Sequence, residues 1–270
     1  MSVDRTEQAQ LIVALEKMAD AAAAVTLPLF RSDDLTTSNK LADGDFDPVT
    51  QADREAELAI RAIIAEQYPD DAILGEEFAP KPGISGRRWV LDPIDGTRAF
   101  ISGMPTWGTL IGLDFGAEPV MGLIDQPYIG ERFIGGFGDA SLLHRAKRRR
   151  ISTRNCAGLA DAVLYSTFPE IGTVTERDGF REIATKVKLT RYGTDCYGYA
   201  LLALGQCDLV IEAGLNPYDI AGPIGVIKAA GGIVTGWKGE AAHEGGRILA
   251  AGDARVHAQA LKVLSQVAAC

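Results

Sequence analysis

Apolar residues recur at helical spacing in two stretches early in the chain. The first stretch follows Asp4 and Glu7, which resemble a capping box, and its apolar positions are Leu11, Leu15, Met18, Ala22 and Val25. The second follows Thr50 and Asp53, which have the same spacing, and its apolar positions are Ala56, Ile60, Ile63 and Ile64. Each pattern predicts a helix with one buried face, and we expect the second helix to end before Pro69.

Short apolar runs split by glycine and proline come next. The run at residues 89–91 predicts a buried strand that ends at Asp92. Runs at residues 108–113, 120–124 and 132–137 are separated by turn-forming residues, which predicts an antiparallel meander.

Beyond residue 150, strand patterns alternate with helical patterns. Strands are predicted at 162–166, 188–192 and 208–212, near 233 and at 248–251, and helices at 176–186, 195–204, 219–230 and through 264. The chain therefore divides into an α+β half, residues 1–148, and an α/β half, residues 149–270. Because no low-complexity linker separates the halves, we expect one packed unit over residues 1–270.

The charge balance narrows the possible partners. The net charge is −9 and the pI is near 4.9, whereas nucleic-acid and anionic-membrane surfaces need an excess of lysine and arginine. The basic run at residues 147–150 is short, and we interpret it as a solvated turn between strands. Nucleic acid and membrane are thus not expected partners. An acidic protein can still bind a phosphate through cations held by carboxylates, so carboxylate clusters are the candidates for chemistry.

Other site classes and targeting signals find no support in the sequence. The four cysteines lack CxxC spacing and the three histidines lie far apart, so neither a zinc site nor a disulfide framework is predicted. The apolar run at residues 21–29 has neither the basic start nor the cleavage site of a signal peptide. We therefore expect a cytoplasmic protein.

The most informative segment is residues 89–97, Trp-Val-Leu-Asp-Pro-Ile-Asp-Gly-Thr. The strand delivers Asp92 at its end, Pro93 stops regular pairing and Asp95 emerges at the turn, so two carboxylates can face one point. Gly96 allows close backbone approach, and the N–H groups that follow could hold phosphate oxygens. The same residue types are common in turns, and this segment alone leaves both interpretations open.

Three further elements accompany this segment. They are Asp-Pro-Val-Thr-Gln-Ala-Asp at 47–53, Gly-Glu-Glu at 75–77, and Pro-Tyr-Asp at 217–219 with Ala-Ala-Gly-Gly at 229–232. In this order and spacing, the four motifs resemble the inositol monophosphatase family, which includes histidinol-phosphatases, one type of fructose-1,6-bisphosphatase and nucleotide 3′-phosphatases. The resemblance covers nearly the whole chain. It implies an α+β and α/β layered sandwich of alternating helix and sheet layers.

The resemblance implies a homodimeric phosphatase that acts on a small phosphate monoester with two to three Mg²⁺ ions. Glu76, Asp92 and the backbone carbonyl of Ile94 should bind the first ion. Asp92, Asp95 and Asp219 should bind the second, and Glu76 with water a weaker third. Oxygen-only ligands suit a hard cation. The ions would activate water and stabilise the leaving oxygen, so that no phospho-enzyme is needed.

The resemblance also assigns residues to the attacking water. Thr97 with Asp53 should orient and deprotonate it, and Asp47 resembles an outer-shell residue near Glu76. Asp53 could instead be only a carboxylate in the first turn of a helix, and Asp47 only a turn residue. A non-enzymatic alternative is a structural divalent-ion site in a binding or regulatory protein. Such a site would not require both Thr97 and Asp53.

Three departures from the inositol-type pattern resemble the histidinol-phosphatase branch. Arg98-Ala-Phe follows the central segment, residues 191–197 are Arg-Tyr-Gly-Thr-Asp-Cys-Tyr, and Tyr218 precedes Asp219. They favour histidinol phosphate as the substrate and a place in histidine biosynthesis, with inositol 1-phosphate as the alternative.

Two carboxylates outside the metal set could recognise histidinol phosphate, which has an ammonium and an imidazole beside its phosphate. Asp195 and Glu212 could pair with the cation. Glu212 also matches a position that binds substrate hydroxyls in inositol enzymes, so it does not discriminate. Asp195 could also be the N-cap of the following helix, and the two roles are compatible. The residues expected to bind substrate are Gly96, Thr97, Arg98, Arg191, Thr194, Asp195, Glu212 and Asp219.

Overall fold

The computed structural model describes residues 3–39 and 48–267. Its α-helices are α1 (Arg5–Leu29), α2 (Gln51–Gln67), α3 (Thr97–Ser102), α4 (Val174–Ala184), α5 (Asp195–Ala203), α6 (Pro217–Ala229) and α7 (Ala254–Val267). Its strands are β1 (Thr37–Asn39), β2 (Pro48–Thr50), β3 (Ala72–Gly75), β4 (Arg88–Asp95), β5 (Gly108–Asp114), β6 (Met121–Gln126), β7 (Glu131–Gly136), β8 (Asp139–His144), β9 (Lys147–Arg150), β10 (Val163–Ser166), β11 (Leu189–Tyr192), β12 (Leu209–Leu215), β13 (Ile233–Thr235) and β14 (Gly246–Ala251). None of the described helices is both long and apolar enough to span a bilayer.

Side-chain caps explain where the first two helices begin. At α1, one carboxylate oxygen of Asp4 accepts hydrogen bonds from the N–H groups of Thr6 and Glu7, at 2.8 and 2.9 Å. At α2, Thr50 and Asp53 form a reciprocal capping box, in which Asp53 accepts from the Thr50 N–H at 2.9 Å. Both predicted helices are confirmed.

A seven-stranded sheet forms the first half, in the order β3-β4-β5-β6-β7-β8-β9. β3 and β4 are parallel, and each later strand is antiparallel to the one before it. The predicted meander is confirmed. The interpretation of the basic run as a turn is wrong: Lys147–Arg150 is the exposed edge strand β9, and the turn lies before it at Arg145 and Ala146. Charges on an edge strand oppose pairing with another sheet. Because β9 belongs to it, the first sheet extends to Arg150.

A second, five-stranded sheet has the order β11-β10-β12-β14-β13. β10 is parallel to both of its neighbours, whereas β14 is antiparallel to β12 and β13. The predicted alternation of strands and helices is confirmed. Because β10 and β12 are parallel neighbours, their carboxyl ends meet at one edge of the sheet, the place where α/β proteins commonly bind ligands.

Helices and sheets alternate in layers. α1 and α2 cover one face of the first sheet, in a core that includes Leu15, Ile60 and Leu91. α5 and α6 lie between the two sheets, and α4 and α7 cover the outer face of the second. This order of helix, sheet, helix, sheet and helix confirms the predicted layered sandwich. Because the middle helices pack against both sheets, the two halves share a core.

Glycines allow α6 to lie unusually close to the first sheet. A Cβ added to Gly122 would lie 2.0 Å from the carbonyl oxygen of Gly222, and one added to Gly225 would lie 2.3 Å from the Gly122 nitrogen. A larger residue at these positions would push the helix off the sheet. The close approach brings the amino end of α6 to the strands that carry the central motif.

Candidate active site

A bulge in β4 brings Asp92 and Asp95 to the same face of the sheet. Asp92 pairs with Leu110 and Asp95 with Gly108, so β4 has one residue more than β5 between these pairs. In a regular strand, side chains three positions apart point to opposite faces. The extra residue reverses this relation. The bulge is stabilised by a hydrogen bond of 3.1 Å from the Ile94 N–H to the Asp92 carboxylate.

Asp219 reaches the same point from the other half of the chain. It is the third residue of α6, and its carboxylate accepts a hydrogen bond of 2.6 Å from the Asn216 N–H. Carboxylate oxygens of Asp92, Asp95 and Asp219 lie within 4.8 Å of one another. We call these three residues the carboxylate cluster.

The carboxylate cluster concentrates negative charge in a buried place. Burial is the main cause that raises the pKa of Asp92 and Asp95 well above 3.8, and neighbouring carboxylates raise it further. The pKa of Asp219 is raised to about 7, again mainly by burial. Carboxylate oxygens that repel one another at this spacing are suitable ligands for a hard divalent cation. The charge of such a cation would favour the ionised forms of the three carboxyl groups.

Glu76 lies beside the cluster because β3 runs parallel to β4. Gly75 is in register with Leu91, and the Glu76 N–H donates to the Leu91 carbonyl oxygen at 3.2 Å. The charge of Glu76 contributes to the raised pKa of both Asp92 and Asp219. The structure therefore brings Glu76 to the edge of the carboxylate cluster.

Thr97 and Asp53 meet at the start of α3. The Thr97 hydroxyl lies 3.4 Å from Asp53 Oδ1 and 3.2 Å from the Ile94 carbonyl oxygen. The other oxygen, Asp53 Oδ2, accepts from the N–H and hydroxyl of Thr50 at 2.9 and 2.5 Å. Asp53 thus caps α2 and faces Thr97 at once, with a different oxygen for each role, and burial raises its pKa to about 6. Asp47 lies outside the described residues.

Asp195 approaches the cluster over Gly96. Its carboxylate accepts a hydrogen bond of 2.7 Å from the Thr106 hydroxyl. A Cβ added to Gly96 would lie 2.9 Å from the Asp195 Cβ. Asp195 is the first residue of α5 and has a φ of 42°, a conformation uncommon outside glycine. The N-cap residue is Thr194, so the interpretation of Asp195 as the helix cap is wrong.

Glu212, on β12, lies beside Thr167, which follows β10. Glu212 Oε1 accepts from the N–H and hydroxyl of Thr167 at 2.7 and 3.0 Å. Glu212 Oε2 lies 3.5 Å from the Ser166 hydroxyl. Glu212 is 5% exposed, and burial raises its pKa to about 7. It is thus a buried carboxylate with one oxygen firmly held and the other only weakly bonded.

A cavity of about 250 Å³, here called the site cavity, connects the carboxylate cluster to Glu212. The polar side chains in its walls are Asp95, Asp195, Glu212, Asp219, Thr167 and Tyr199. Phe168 also lines it, and the Arg98 guanidinium lies 5.5 Å from the centre of the Phe168 ring. Burial raises the pKa of Asp195, and the charge of Arg98 partly opposes this effect. The cavity is therefore acidic, and the Arg98 cation lies beside one of its walls.

Of the residues predicted to bind substrate, Asp195, Glu212 and Asp219 line the site cavity, whereas Gly96, Thr97, Arg98, Arg191 and Thr194 do not. Arg191 and Thr194 have other surroundings. Arg191 is exposed on β11. The Thr194 hydroxyl is buried and packs against Gly198, where an added Cβ would lie 2.6 Å from it. The substrate roles of Arg191 and Thr194 stay predictions that the cavity walls do not support.

Other residues of the site were not predicted. Thr106 positions Asp195, while Thr167, Phe168 and Tyr199 line the site cavity. Thr167 directly follows a predicted strand, and strand ends are common ligand positions. Tyr199 is four residues after Asp195, a spacing that places both on one helix face. These two signals were available in the sequence, whereas nothing in the sequence marks Thr106.

Comparison with known proteins identifies a matching family and several relatives. The profile described as "Inositol monophosphatase family" matches residues 7–269. The chain is 42% identical over 259 residues to a protein of Arabidopsis thaliana named "Bifunctional phosphatase IMPL2, chloroplastic", covering 92% of this chain and 72% of that protein. It is 36% identical over 260 residues to the histidinol-phosphatase of Streptomyces coelicolor, covering 92% and 94%.

A solved structure shares the fold. The structure of an inositol monophosphatase from Zymomonas mobilis matches with a TM-score of 0.82 and 39% identity, covering 94% of this chain and 97% of that one. Relatives with different named substrates thus have similar identities to this chain.

Proposed function

The chain belongs to the inositol monophosphatase family, and on this premise we propose that it is a Mg²⁺-dependent histidinol-phosphatase. The observation that supports this substrate is the site cavity, which starts at the carboxylate cluster and continues between the partly buried carboxylate of Asp195 and the buried carboxylate of Glu212. A phosphate ester with an ammonium group complements such walls better than a neutral polyol does.

We assign the ions as follows. Glu76, Asp92 and the Ile94 carbonyl would hold a first Mg²⁺ ion, and Asp92, Asp95 and Asp219 would hold a second. Glu76 would also hold a weaker third ion. The donors are all oxygen atoms, as Mg²⁺ prefers. When bound, the ions supply charge that lowers the pKa of water and stabilises a departing alkoxide.

Thr97 orients the attacking water, and Asp53 accepts the proton that is released. The Thr97 hydroxyl has one proton and two acceptors within 3.4 Å, Asp53 Oδ1 and the Ile94 carbonyl oxygen. When that proton points to Asp53, the Thr97 oxygen is free to accept a hydrogen bond from water and to orient it. Asp53, with a pKa of about 6, is ionised above that pH and can take up the proton.

The remaining residues bind the ester. Gly96 and Thr97 lie at the start of α3, where their backbone N–H groups would donate to phosphate oxygens. Asp195 and Glu212 take the ammonium, whose charge favours the ionised forms of both carboxyl groups. In the free protein, burial raises the pKa of both carboxyl groups.

A second candidate is inositol-1-phosphate hydrolysis. It is favoured by the 39% identity to the Zymomonas mobilis protein, and by Glu212, whose carboxylate can accept from substrate hydroxyls as well as from an ammonium. The cytoplasmic location, the homodimer and a role in histidine biosynthesis stay predictions.

Phosphate release tests the proposal. The purified protein is assayed with Mg²⁺ on histidinol phosphate, inositol 1-phosphate, fructose 1,6-bisphosphate and 3′-phosphoadenosine 5′-phosphate, with a chelator as control. We expect the largest kcat/KM for histidinol phosphate and no release in the chelator. Equal or better hydrolysis of inositol 1-phosphate would overturn the substrate, and release that persists in the chelator would overturn the metal requirement.

A further inference from the structure

Tyr199 is a wall residue of the site cavity, and the carboxylates whose charges act on its hydroxyl are Glu212, Asp95 and Asp219. Its side chain is on α5, is 3% exposed and lines the cavity together with Glu212 and Asp95. Within residues 3–39 and 48–267, the Tyr199 hydroxyl oxygen has no hydrogen-bond partner. Buried hydroxyls are nearly always hydrogen-bonded, because an unpaired one loses its bonds to water without replacement. An orphan at this position therefore points to a partner that arrives with a ligand.

The chemistry of the cavity walls restricts that partner. Asp95, Asp195, Glu212 and Asp219 only accept hydrogen bonds when ionised. The Thr167 hydroxyl already donates to Glu212, at 3.0 Å. Burial, reinforced by the negative charges of neighbouring carboxylates, raises the pKa of Tyr199 well above 10.0, so the phenol keeps its proton. Tyr199 thus has a hydroxyl free to donate a hydrogen bond, in a cavity whose carboxylates accept hydrogen bonds.

Resting on the proposed function, we infer that Tyr199 is a specificity-determining residue whose hydroxyl donates a hydrogen bond to an acceptor atom in the non-phosphate part of the substrate. For histidinol phosphate, that acceptor is the unprotonated nitrogen of the neutral imidazole. The carboxylates recognise the ammonium, and Tyr199 recognises the ring. A substrate with the same amine and ester but without the ring nitrogen leaves the Tyr199 hydroxyl unpaired.

Tyr199→Phe isolates this contact, because it removes only the hydroxyl and keeps the ring that fills the core. The variant is compared with wild type on two esters that share amine and phosphate: histidinol phosphate and phenylalaninol phosphate, in which phenyl replaces imidazole. We expect kcat/KM for histidinol phosphate to fall about 10- to 100-fold, mainly through KM, as for the loss of one buried hydrogen bond. The value for phenylalaninol phosphate should stay within about twofold.

Tyr197→Phe is the matched control. Tyr197 is on the same helix, but its hydroxyl donates to Glu131 at 2.7 Å, outside the site cavity. This variant should lower the melting temperature, since it breaks an existing hydrogen bond, and should leave the ratio of the two kcat/KM values unchanged. Tyr199→Phe should not lower the melting temperature, because it removes a hydroxyl that has no partner in the free protein.

A second readout does not depend on turnover. Binding of L-histidinol, measured by titration calorimetry, should weaken about 10- to 100-fold in Tyr199→Phe and not in Tyr197→Phe. If wild type hydrolyses histidinol phosphate but Tyr199→Phe changes neither the ratio of the two esters nor L-histidinol binding, the inference is overturned and the proposed function stands. If wild type does not hydrolyse histidinol phosphate, both fall together.

Discussion

The carboxylate of Asp95 accepts a hydrogen bond of 2.7 Å from the backbone N–H of Cys196, at the start of α5. One oxygen of a cluster residue is thereby held by the second half of the chain. The orientation of Asp95 therefore depends on correct packing of the two halves, as does the position of Asp219 on α6. Substitutions can test separately the charge, the hydroxyl and the packing of this site.

Asp92→Asn should abolish phosphate release while leaving the fold intact, because it removes a buried charge and almost no volume. In a chelator it should also raise the melting temperature at pH 8, since it relieves repulsion within the carboxylate cluster. Scanning fluorimetry with and without Mg²⁺ and a phosphate assay check both effects. Asp178→Asn, an exposed position on α4, is the control and should change neither. Near-normal activity of Asp92→Asn at millimolar Mg²⁺ would exclude Asp92 as a ligand of the ions.

Thr97→Ala should lower kcat by ~10²–10⁴-fold, the usual contribution of proton transfer by a positioned side chain. Its effect on Mg²⁺ affinity should be much smaller, because the Thr97 hydroxyl orients water in our assignment and does not hold an ion. Thr97→Ser, which keeps the hydroxyl, should recover most of the rate. The measurement is kcat as a function of Mg²⁺ concentration. A Thr97→Ala enzyme that loses rate and Mg²⁺ affinity in parallel would place Thr97 among the metal ligands.

The metal-free protein should become less stable as pH rises. A carboxyl group with a raised folded-state pKa binds its proton more tightly when folded, so its contribution is present below the unfolded-state pKa and is lost as pH rises through the folded-state value. The window runs from 3.8 to about 7 for Asp219 and from 4.5 to about 7 for Glu212. In a chelator, the melting temperature should fall by several degrees between pH 5 and pH 8. Saturating Mg²⁺ should reduce this fall, and a melting temperature that rises with pH in the chelator would contradict the assignment.

Asp195→Asn should lower kcat/KM for histidinol phosphate much more than for p-nitrophenyl phosphate. Asparagine keeps the shape, can still accept from Thr106 and tolerates the positive φ of this position, so only the charge changes. Both esters use the same water and the same cations, and the comparison therefore isolates recognition of the ammonium. We expect the ratio of the two kcat/KM values to fall at least about tenfold, as for the loss of a charge-assisted contact. Equal losses on both esters would remove Asp195 from substrate recognition.

Gly96→Ala should disrupt the site, whereas Gly116→Ala should not. Both glycines have a φ of 80°, so both variants carry the same backbone strain of about 1–2 kcal/mol. Only at Gly96 does the added Cβ meet another side chain, that of Asp195; a Cβ on Gly116 has nothing within 4 Å. Denaturant unfolding should therefore show a loss of stability from backbone strain in both variants, and phosphate release should fall in Gly96→Ala alone. Full activity of Gly96→Ala would show that the close approach of Asp195 is dispensable.

The sequence by itself determined the local structure and the family. Helices α1 and α2 are encoded by capping residues and apolar positions within a few residues of one another, and the meander by short runs between turn residues. Each of the four motifs that resemble the family is also a short segment of the sequence. These features can be predicted because the interactions that produce them join residues that are neighbours along the chain.

Only the tertiary structure decided which side chains form the cavity. The Cys196–Asp95 hydrogen bond joins residues 101 positions apart, and the Thr106–Asp195 bond residues 89 apart. The bulge that turns Asp95 toward Asp92 depends on pairing with β5, and the reach of Asp219 depends on glycines that let α6 approach the sheet. Arg191 has the residue type of a phosphate ligand, yet the edge of the second sheet carries it away from the cavity. Tyr199 looks like a core residue, but the packing of α5 places it in the wall of the cavity. Local periodicity specifies which face of an element is buried, whereas the partner of that face is chosen by packing between distant elements.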